Sequence, residues 1–552
     1  MAIQPSPGAG TDQSHRAVIS YALALLLGLS LAAWVFPLAF LFPGAPAFAP
    51  FIEGDMAQHV VGQRYFIADS WRWPLLVVPS LGAPDGVNIG LTDSIPLLAL
   101  ILKALAAWLP PGFHGIGLWY GIAWTLQPIA AVWCLRAAGE RRVLPALCMA
   151  VLAVSIPAWW NRFTHAALTG HFLILFTLGT YLLLVRHGTV RRWCGAAALL
   201  GATILVHPYL MLMNAAVLAA VPVTLLLRRD RGRGWRPAAL GTGLMLLGAL
   251  LLLWSLGYLG TTGEGGFGRY AMNLLSPIWP SGSWLLGRDL MKIHAANVSG
   301  WEGYNYLGLG LLCGVPLAFL AAPRAALGMA KAHAGLLLAL LALTLLALSN
   351  RVGVGYSRVI ELFHAPAILE SFRSSGRFFW PATYAMALVM VLGLSRIRAP
   401  WPRAALLLAV VALQAADTTA MRASLAAQLA APPRPWKIEA AALRPVLAAH
   451  RALTILPRWD CLPADASIDS QKGLILEILT LASETVIPVN TMYEAGWHRQ
   501  QSCDIEAAAR ETLRPGEVRV MLPSVGAALR PLVPDGDRQC RPIGTLMVCG
   551  RD

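Results

Sequence analysis

The segment Glu53-Gly54-Asp55-Met56-Ala57-Gln58-His59 gathers two carboxylates, an amide and an imidazole, in a chain of which only 13% is charged. Side chains of these types take a proton from a hydroxyl, hold a cation or orient a polar ligand. Asp55 stands before a helical pattern running to about Trp73, with Gln58 three residues on. Asp-x-x-Gln therefore also reads as a capping box, in which Asp55 only closes a helix terminus. Other features go beyond a cap: Glu53 has no capping role, and His59 lies one turn along on the face of Asp55. A carboxylate desolvated at the mouth of a membrane cavity becomes a better base. The unpaired N–H groups of a helix start also favour anions or a nearby metal. Gln58, His59 and Arg64, all on this helical pattern, are the candidate ligand contacts.

The elements that must position these groups are membrane spans. A chain of 552 residues with 57% hydrophobic residues and a mean hydropathy of +0.60 has the composition of a polytopic α-helical membrane protein. Its net charge of +15 falls in short clusters between apolar segments, as the positive-inside rule requires, and not on a nucleic-acid-binding face. Met1 to Arg16 is polar, and the apolar run after it is too long for a cleaved signal and reads as a retained span. Candidate spans are 17–38, 116–136, 143–160, 171–186, 193–208, 209–227, 237–259, 304–322, 334–349, 377–395 and 403–420, about eleven in all.

The apolar stretch Ser94 to Leu109 carries Lys103 between prolines. If it lies along the surface, the clusters at Arg136–Arg142, Arg186–Arg192, Arg228–Arg236, Arg324–Lys331 and Arg396–Arg403 all become cytoplasmic, so it is expected to be interfacial. Charge parity then puts loops 39–115, 260–303 and 350–376, and the tail from about residue 421, on the extracytoplasmic side.

A transmembrane module is thus expected over 1–420, a linker over 421–436 stiffened by Ala431-Pro432-Pro433-Arg434-Pro435, and a small α/β domain over 437–552. In the last, strand-like Leu453–Leu456, Val486–Val489 and Val518–Leu522 alternate with helix-like Ile438–His450 and Gly473–Ser483. Four of the eight cysteines, Cys461, Cys503, Cys540 and Cys549, lie in this tail. They read as two disulfides in an oxidising compartment. Cys540 and Cys549 flank the turn signal Pro542-Ile543-Gly544, which leaves Cys461 for Cys503; zinc is the alternative, without a CxxC spacing to support it.

Further candidates lie in the other loops. Arg373 and Arg377 stand four apart on the side where arginine is disfavoured, and guanidinium forks match phosphate oxygens. The bland alternative is an interface anchor beside Phe378, Phe379 and Trp380. Loop 260–303 offers Glu264, Arg269, Lys292, His294 and Glu302 among Trp279, Trp284, Trp301, Tyr304 and Tyr306. This suits a lid or sugar platform, or an ordinary aromatic belt, with Arg269 and Glu302 the preferred functional members. His165, His171 and His207 read as structural, and no metal site is assigned to them; Asn297-Val298-Ser299 is a lone glycosylation tripeptide.

A first span, a loop with an acidic motif on a surface helix, interfacial helices, some ten further spans and a soluble C-terminal domain together resemble the GT-C superfamily of polyprenyl-phosphate-dependent glycosyltransferases. Members carry adjacent or near-adjacent acids in this loop; here they are Glu53 and Asp55, separated by Gly54. Ser371-Phe372-Arg373-Ser374-Ser375-Gly376-Arg377-Phe378-Phe379-Trp380 also resembles a segment of uncharacterised bacterial multi-pass proteins of similar outline. The resemblance implies an inner-membrane enzyme with a cytoplasmic N-terminus and a periplasmic tail. It would move a sugar from a polyprenyl-phosphate donor to a saccharide or lipid acceptor, with no nucleic-acid partner. Asp55 would be the general base with Glu53 beside it, or the two would help hold a divalent metal, Mg or Mn; Arg373 and Arg377 would neutralise the leaving phosphate. The alternatives are a transporter or flippase for lipid-linked saccharides, which internal repeats would support and none is seen, and an assembly subunit without chemistry.

Overall fold

The computed structural model describes the chain except residues 1–6, 43–53, 229–233, 261, 264, 281, 287–301, 356–357, 433, 463–470, 498–501, 535–538 and 551–552. Glu53, Glu264, Lys292, His294 and the tripeptide at 297–299 therefore lie outside the described residues. Each of the eleven apolar stretches carries a helix, but not all are long enough to span. Among the described residues, five helices are long and apolar enough to cross a membrane: Gln13–Val35, Ile116–Ala137, Pro208–Arg228, Trp235–Ser255 and Ser375–Leu394. The number rises to seven if each of two bent pairs, Leu309–Ala321 with Pro323–Ala332 and Pro400–Asp417 with Thr419–Ala430, is one span.

Prolines account for much of the shortfall. The apolar stretch 143–160 breaks into Val143–Ala153 and Pro157–Trp160, and Pro208 separates Val190–Ile204 from the next helix. A proline ring forbids continuation of the preceding helix. An eleven-residue helix reaches only about 16 Å, half of a ~30 Å hydrocarbon core. The chain bends by 100° before Pro323, and the helix that follows, with Arg324 and Lys331, buries no residue.

Exposure follows the apolar pattern. Trp235–Ser255 buries only Ala238, Thr242 and Met245 and turns Leu240, Leu244, Leu251 and Trp254 outward. Such a face is costly in water and suits lipid chains. These helices mark the chain as membrane-associated.

In the 94–109 stretch, helix Pro96–Ala104 is followed by a 3-10 turn, Ala106–Trp108, which together are too short to span. Its exposed Ile101, Leu105 and Trp108 contrast with Lys103, whose ammonium sits 4.0 Å from the Phe66 ring centroid and donates to the Ser70 carbonyl.

The acidic-motif helix, Asp55–Ala68, is not a surface helix. All of its residues from Met56 to Ile67 except Arg64 are buried, between Pro96–Ala104 on one side and tail helix Gln471–Thr485 on another. Gly54 precedes it at φ 51°, a left-handed conformation that glycine adopts without penalty.

The tail is a small α/β domain. Strands lie in the order Ala452–Leu456, Glu517–Met521, Leu546–Gly550, Cys540–Ile543; the first pair is parallel and the other two are antiparallel. Both disulfides pair as expected, Cys461–Cys503 and Cys540–Cys549, the second directly across the final hairpin. The expected strand at 486–489 is instead a connecting segment in which Val489 bridges Leu453 on one side and Leu81 on the other. It ties the domain to loop 39–115: Val489 N–H donates to Ser80 O, and Ala83 N–H to Val489 O. Thr262–Gly263 pairs antiparallel with Gly496–Trp497. The tail is thus built into the loops and not merely tethered by its linker.

Candidate functional site

The site begins at the start of helix Asp55–Ala68, where the positive end of the helix dipole stabilises an acid. Asp55 is the first helical residue, after Gly54, and its side chain makes no capping bond. Gln58, the other half of the expected capping box, instead donates to the carbonyls of Tyr493 (3.0 Å) and Leu91 (3.4 Å). The capping reading is therefore replaced: the acid is left for something else, and the amide pins the tail.

Asp55 Oδ2 lies 3.0 Å from His165 Nε2, which is also 3.3 Å from Glu302 Oε1. Carboxylates only accept, so Nε2 carries the proton and shares it between the two acids. Glu302 is also held by buried arginines. Arg162 Nη1 donates to Oε2 at 2.7 Å, and Arg377 donates to both carboxylate oxygens at 3.0 Å. Burial raises the Glu302 pKa, but the two guanidiniums and His165 outweigh it and hold the carboxyl well below its usual range. Among the described residues the Asp55 carboxylate has His165 as its one hydrogen-bonding partner, and its side chain stays 16% exposed.

A second acid stands close by. Ile89–Thr92 forms a 3-10 turn capped by the Asn88 side chain, and Asp93 (φ 51°) and Ile95 (φ 52°) follow in left-handed conformations. Two such non-glycine residues so close together store backbone strain, which clusters at functional sites. Asp93 Oδ1 lies 3.2 Å from His207 Nε2, while His207 Nδ1 accepts from Tyr209 N–H, so Nε2 is the donor. His59 faces this corner. Its Nδ1–H donates to the Thr92 carbonyl, and its Nε2 lone pair, fully buried, has no partner among the described residues. Burial lowers the His59 pKa despite the neighbouring Asp93 and Asp55, keeping the ring a neutral acceptor.

The structure thus brings together Asp55, His59, Glu302 and Arg377, with Gln58 at the edge. Arg377 does not face outward as a phosphate clamp; it is buried against Glu302 and over the Tyr209 ring (5.0 Å). Arg64 is also displaced: it donates to Gly112 O and Ser483 Oγ, on the tail side of the helix. Arg269 and Arg373 share the Tyr270 ring instead, each guanidinium 5.6 Å from its centroid. Sequence reasoning missed Arg162 and Asp93 and set His165 and His207 aside as structural. The polar interruptions Asn161-Arg162 and Thr92-Asp93-Ser94 between apolar runs were the available signal.

Of the two acids that the resemblance gives to a divalent metal, Glu53 lies outside the described residues and Asp55 is held by His165, while Glu302, His165 and His207 bring no free lone pairs to such an ion. Both Glu302 oxygens accept from arginine, and His165 and His207 present protons, not lone pairs, to their acids. Among the described residues, the closely spaced ligand group Asp460, Cys461 and Cys503 has its sulfurs in a disulfide. No step through a metal is derived.

Fold and site together define a membrane-associated helical protein with a buried carboxylate–histidine–arginine cluster walled by a disulfide-stapled α/β domain. The chain belongs to the family described as "Domain of unknown function (DUF6311)", which matches residues 25–419, and its last part matches the DUF6311 C-terminal domain over residues 442–551. No curated protein matches the chain.

Proposed function

We propose that this protein is an integral membrane glycosyltransferase of the GT-C type, taking a sugar from a polyprenyl-phosphate donor. The eleven apolar helices would lie in the bacterial inner membrane with the N-terminus cytoplasmic and the tail periplasmic. The basic clusters between helices and the two disulfides of the tail support this orientation.

In the reaction, the Asp55 carboxylate takes the proton of an acceptor hydroxyl. The oxygen attacks the anomeric carbon, and the bond to phosphate breaks with its electron pair leaving on polyprenyl phosphate. One such displacement inverts the anomeric centre. His165, braced through Glu302 by Arg162 and Arg377, aims Asp55. Arg269 and Arg373, both against the Tyr270 ring and both partly exposed, bind the donor phosphate in place of Arg377.

The observation that carries this reading is Asp55 itself: a partly accessible acid at a helix start, held by a single histidine. The test is transfer of radiolabelled sugar from polyprenyl phosphate in liposomes holding the full chain. Covalent transfer that disappears in Asp55→Asn, with the variant still folded, is expected. Movement of the lipid-linked sugar without transfer would make the protein a flippase, and neither activity would leave an assembly role.

A further inference from the structure

A recess lies beside the segment that Gln58 pins. It is a cleft of about 420 Å³ between the hairpin of loop 39–115, the Gly257 end of helix Trp235–Ser255, and the tail. That volume falls within the range of small-molecule sites. Gly82 (φ 69°), Gly86 (φ 79°) and Gly257 (φ 76°) line it at left-handed turns that glycine adopts without penalty.

Its polar groups are nearly balanced in charge. Arg458 is spent on Asp460, donating to both oxygens at 3.1 and 2.7 Å. Glu494 is largely buried; burial first, and then the Asp460 charge, push its carboxyl up to about 8, so it is a neutral donor and acceptor at pH 7. Asp85 faces the cleft from the hairpin, and Lys472 lies behind it, 5.2 Å from the Trp459 ring. Asn88 and Gly257 bring no charge. A lining whose arginine is paired and whose Glu494 is neutral does not suit a phosphate, which needs uncommitted arginine; it suits a polyhydroxylated ligand.

The pinned segment couples this cleft to Asp55. Thr491, Met492 and Glu494 line the cleft, while the Tyr493 carbonyl between them accepts from Gln58, one helical turn beyond Asp55. We propose that this cleft binds a neutral saccharide portion of the acceptor, with Asp85 and Glu494 as its hydrogen-bonding groups. This assignment rests on the glycosyltransferase reading but concerns binding alone.

The experiment uses the full chain in nanodiscs and saturation-transfer NMR with maltose, cellobiose and lactose as soluble probes. At least one binds at pH 7 and weakens by about tenfold above pH 9, whereas Glu494→Gln stays within about twofold across the same range. Asp85→Trp, at an exposed position that tolerates a larger side chain, fills the mouth and weakens binding by about tenfold or more. The proposal is overturned if no probe binds at pH 7, or if binding survives both Asp85→Trp and high pH unchanged. If binding behaves as stated while transfer proves independent of Asp55, only the catalytic reading falls.

Discussion

Asp55 and Glu302 accept from the same imidazole nitrogen, yet the fold treats them in opposite ways. Glu302 has every oxygen committed to buried guanidiniums and is 8% exposed; Asp55 has one partner, a helix N-terminus behind it and twice that exposure. A fully paired buried carboxylate has no lone pair left for a substrate, so its contribution is to hold Arg162, His165 and Arg377 in one arrangement. A singly held one keeps acceptor capacity. The difference shows that an acid's value for chemistry depends on what its neighbours leave unspent.

The largest effect that could break this contrast is expected at Asp55. Asp55→Asn should lower sugar transfer by about 10²–10⁴ with little change in thermal stability, read by radiolabel transfer and a melting curve. Wild-type transfer by the variant would erase the distinction. Glu302→Gln should do the reverse, destabilising the fold by about 3–5 kcal/mol by leaving two buried guanidiniums without their counter-charge, read in denaturant unfolding. Because Glu302 is held below its ordinary range, its stabilisation is complete above the unfolded carboxyl's pKa and is lost as pH falls below about 4.3. The variant should therefore flatten the acid limb of the stability curve.

Smaller effects sharpen the contrast. Arg269→Ala or Arg373→Ala should each weaken polyprenyl-phosphate binding by about tenfold while leaving kcat nearly unchanged, since a charge-assisted contact is worth roughly 1.5–3 kcal/mol. An equal loss of kcat and kcat/KM would move these arginines into the transition state. Smallest is Gln58→Ala, which should cost about 1 kcal/mol and speed hydrogen exchange over 486–497 without touching the Asp55–His165 contact.

What the sequence revealed depended on how local the signal was. Helices at every apolar stretch, the short 94–109 segment, the Cys540–Cys549 hairpin and the strands near 453 and 518 follow from periodicity, proline placement and neighbouring turns. Span length did not, because Pro157 cuts a run that looks continuous by composition and the helix ahead of Pro208 stops at Ile204. The site was half legible. Asp55, His59, Glu302 and Arg377 were named, but Glu302's partners Arg162 and Arg377 come from segments more than 70 residues away, and nothing local announces which arginine will be buried against which acid. Arg64 was misjudged for the same reason: helical spacing places it on the Asp55 helix but is silent about the tail that covers its side. Asp93 escaped notice and His207 was read as structural because each is an isolated polar residue at the edge of an apolar run.

The hydrogen bond from Gln58 to Tyr493 joins groups 435 positions apart. The ribosome makes the first partner 435 residues before the second, so the cluster around Asp55 lacks one side throughout that interval. A product cut off between the two would carry its acid without the segment that Gln58 holds, so the arrangement is complete only once Tyr493 has been made.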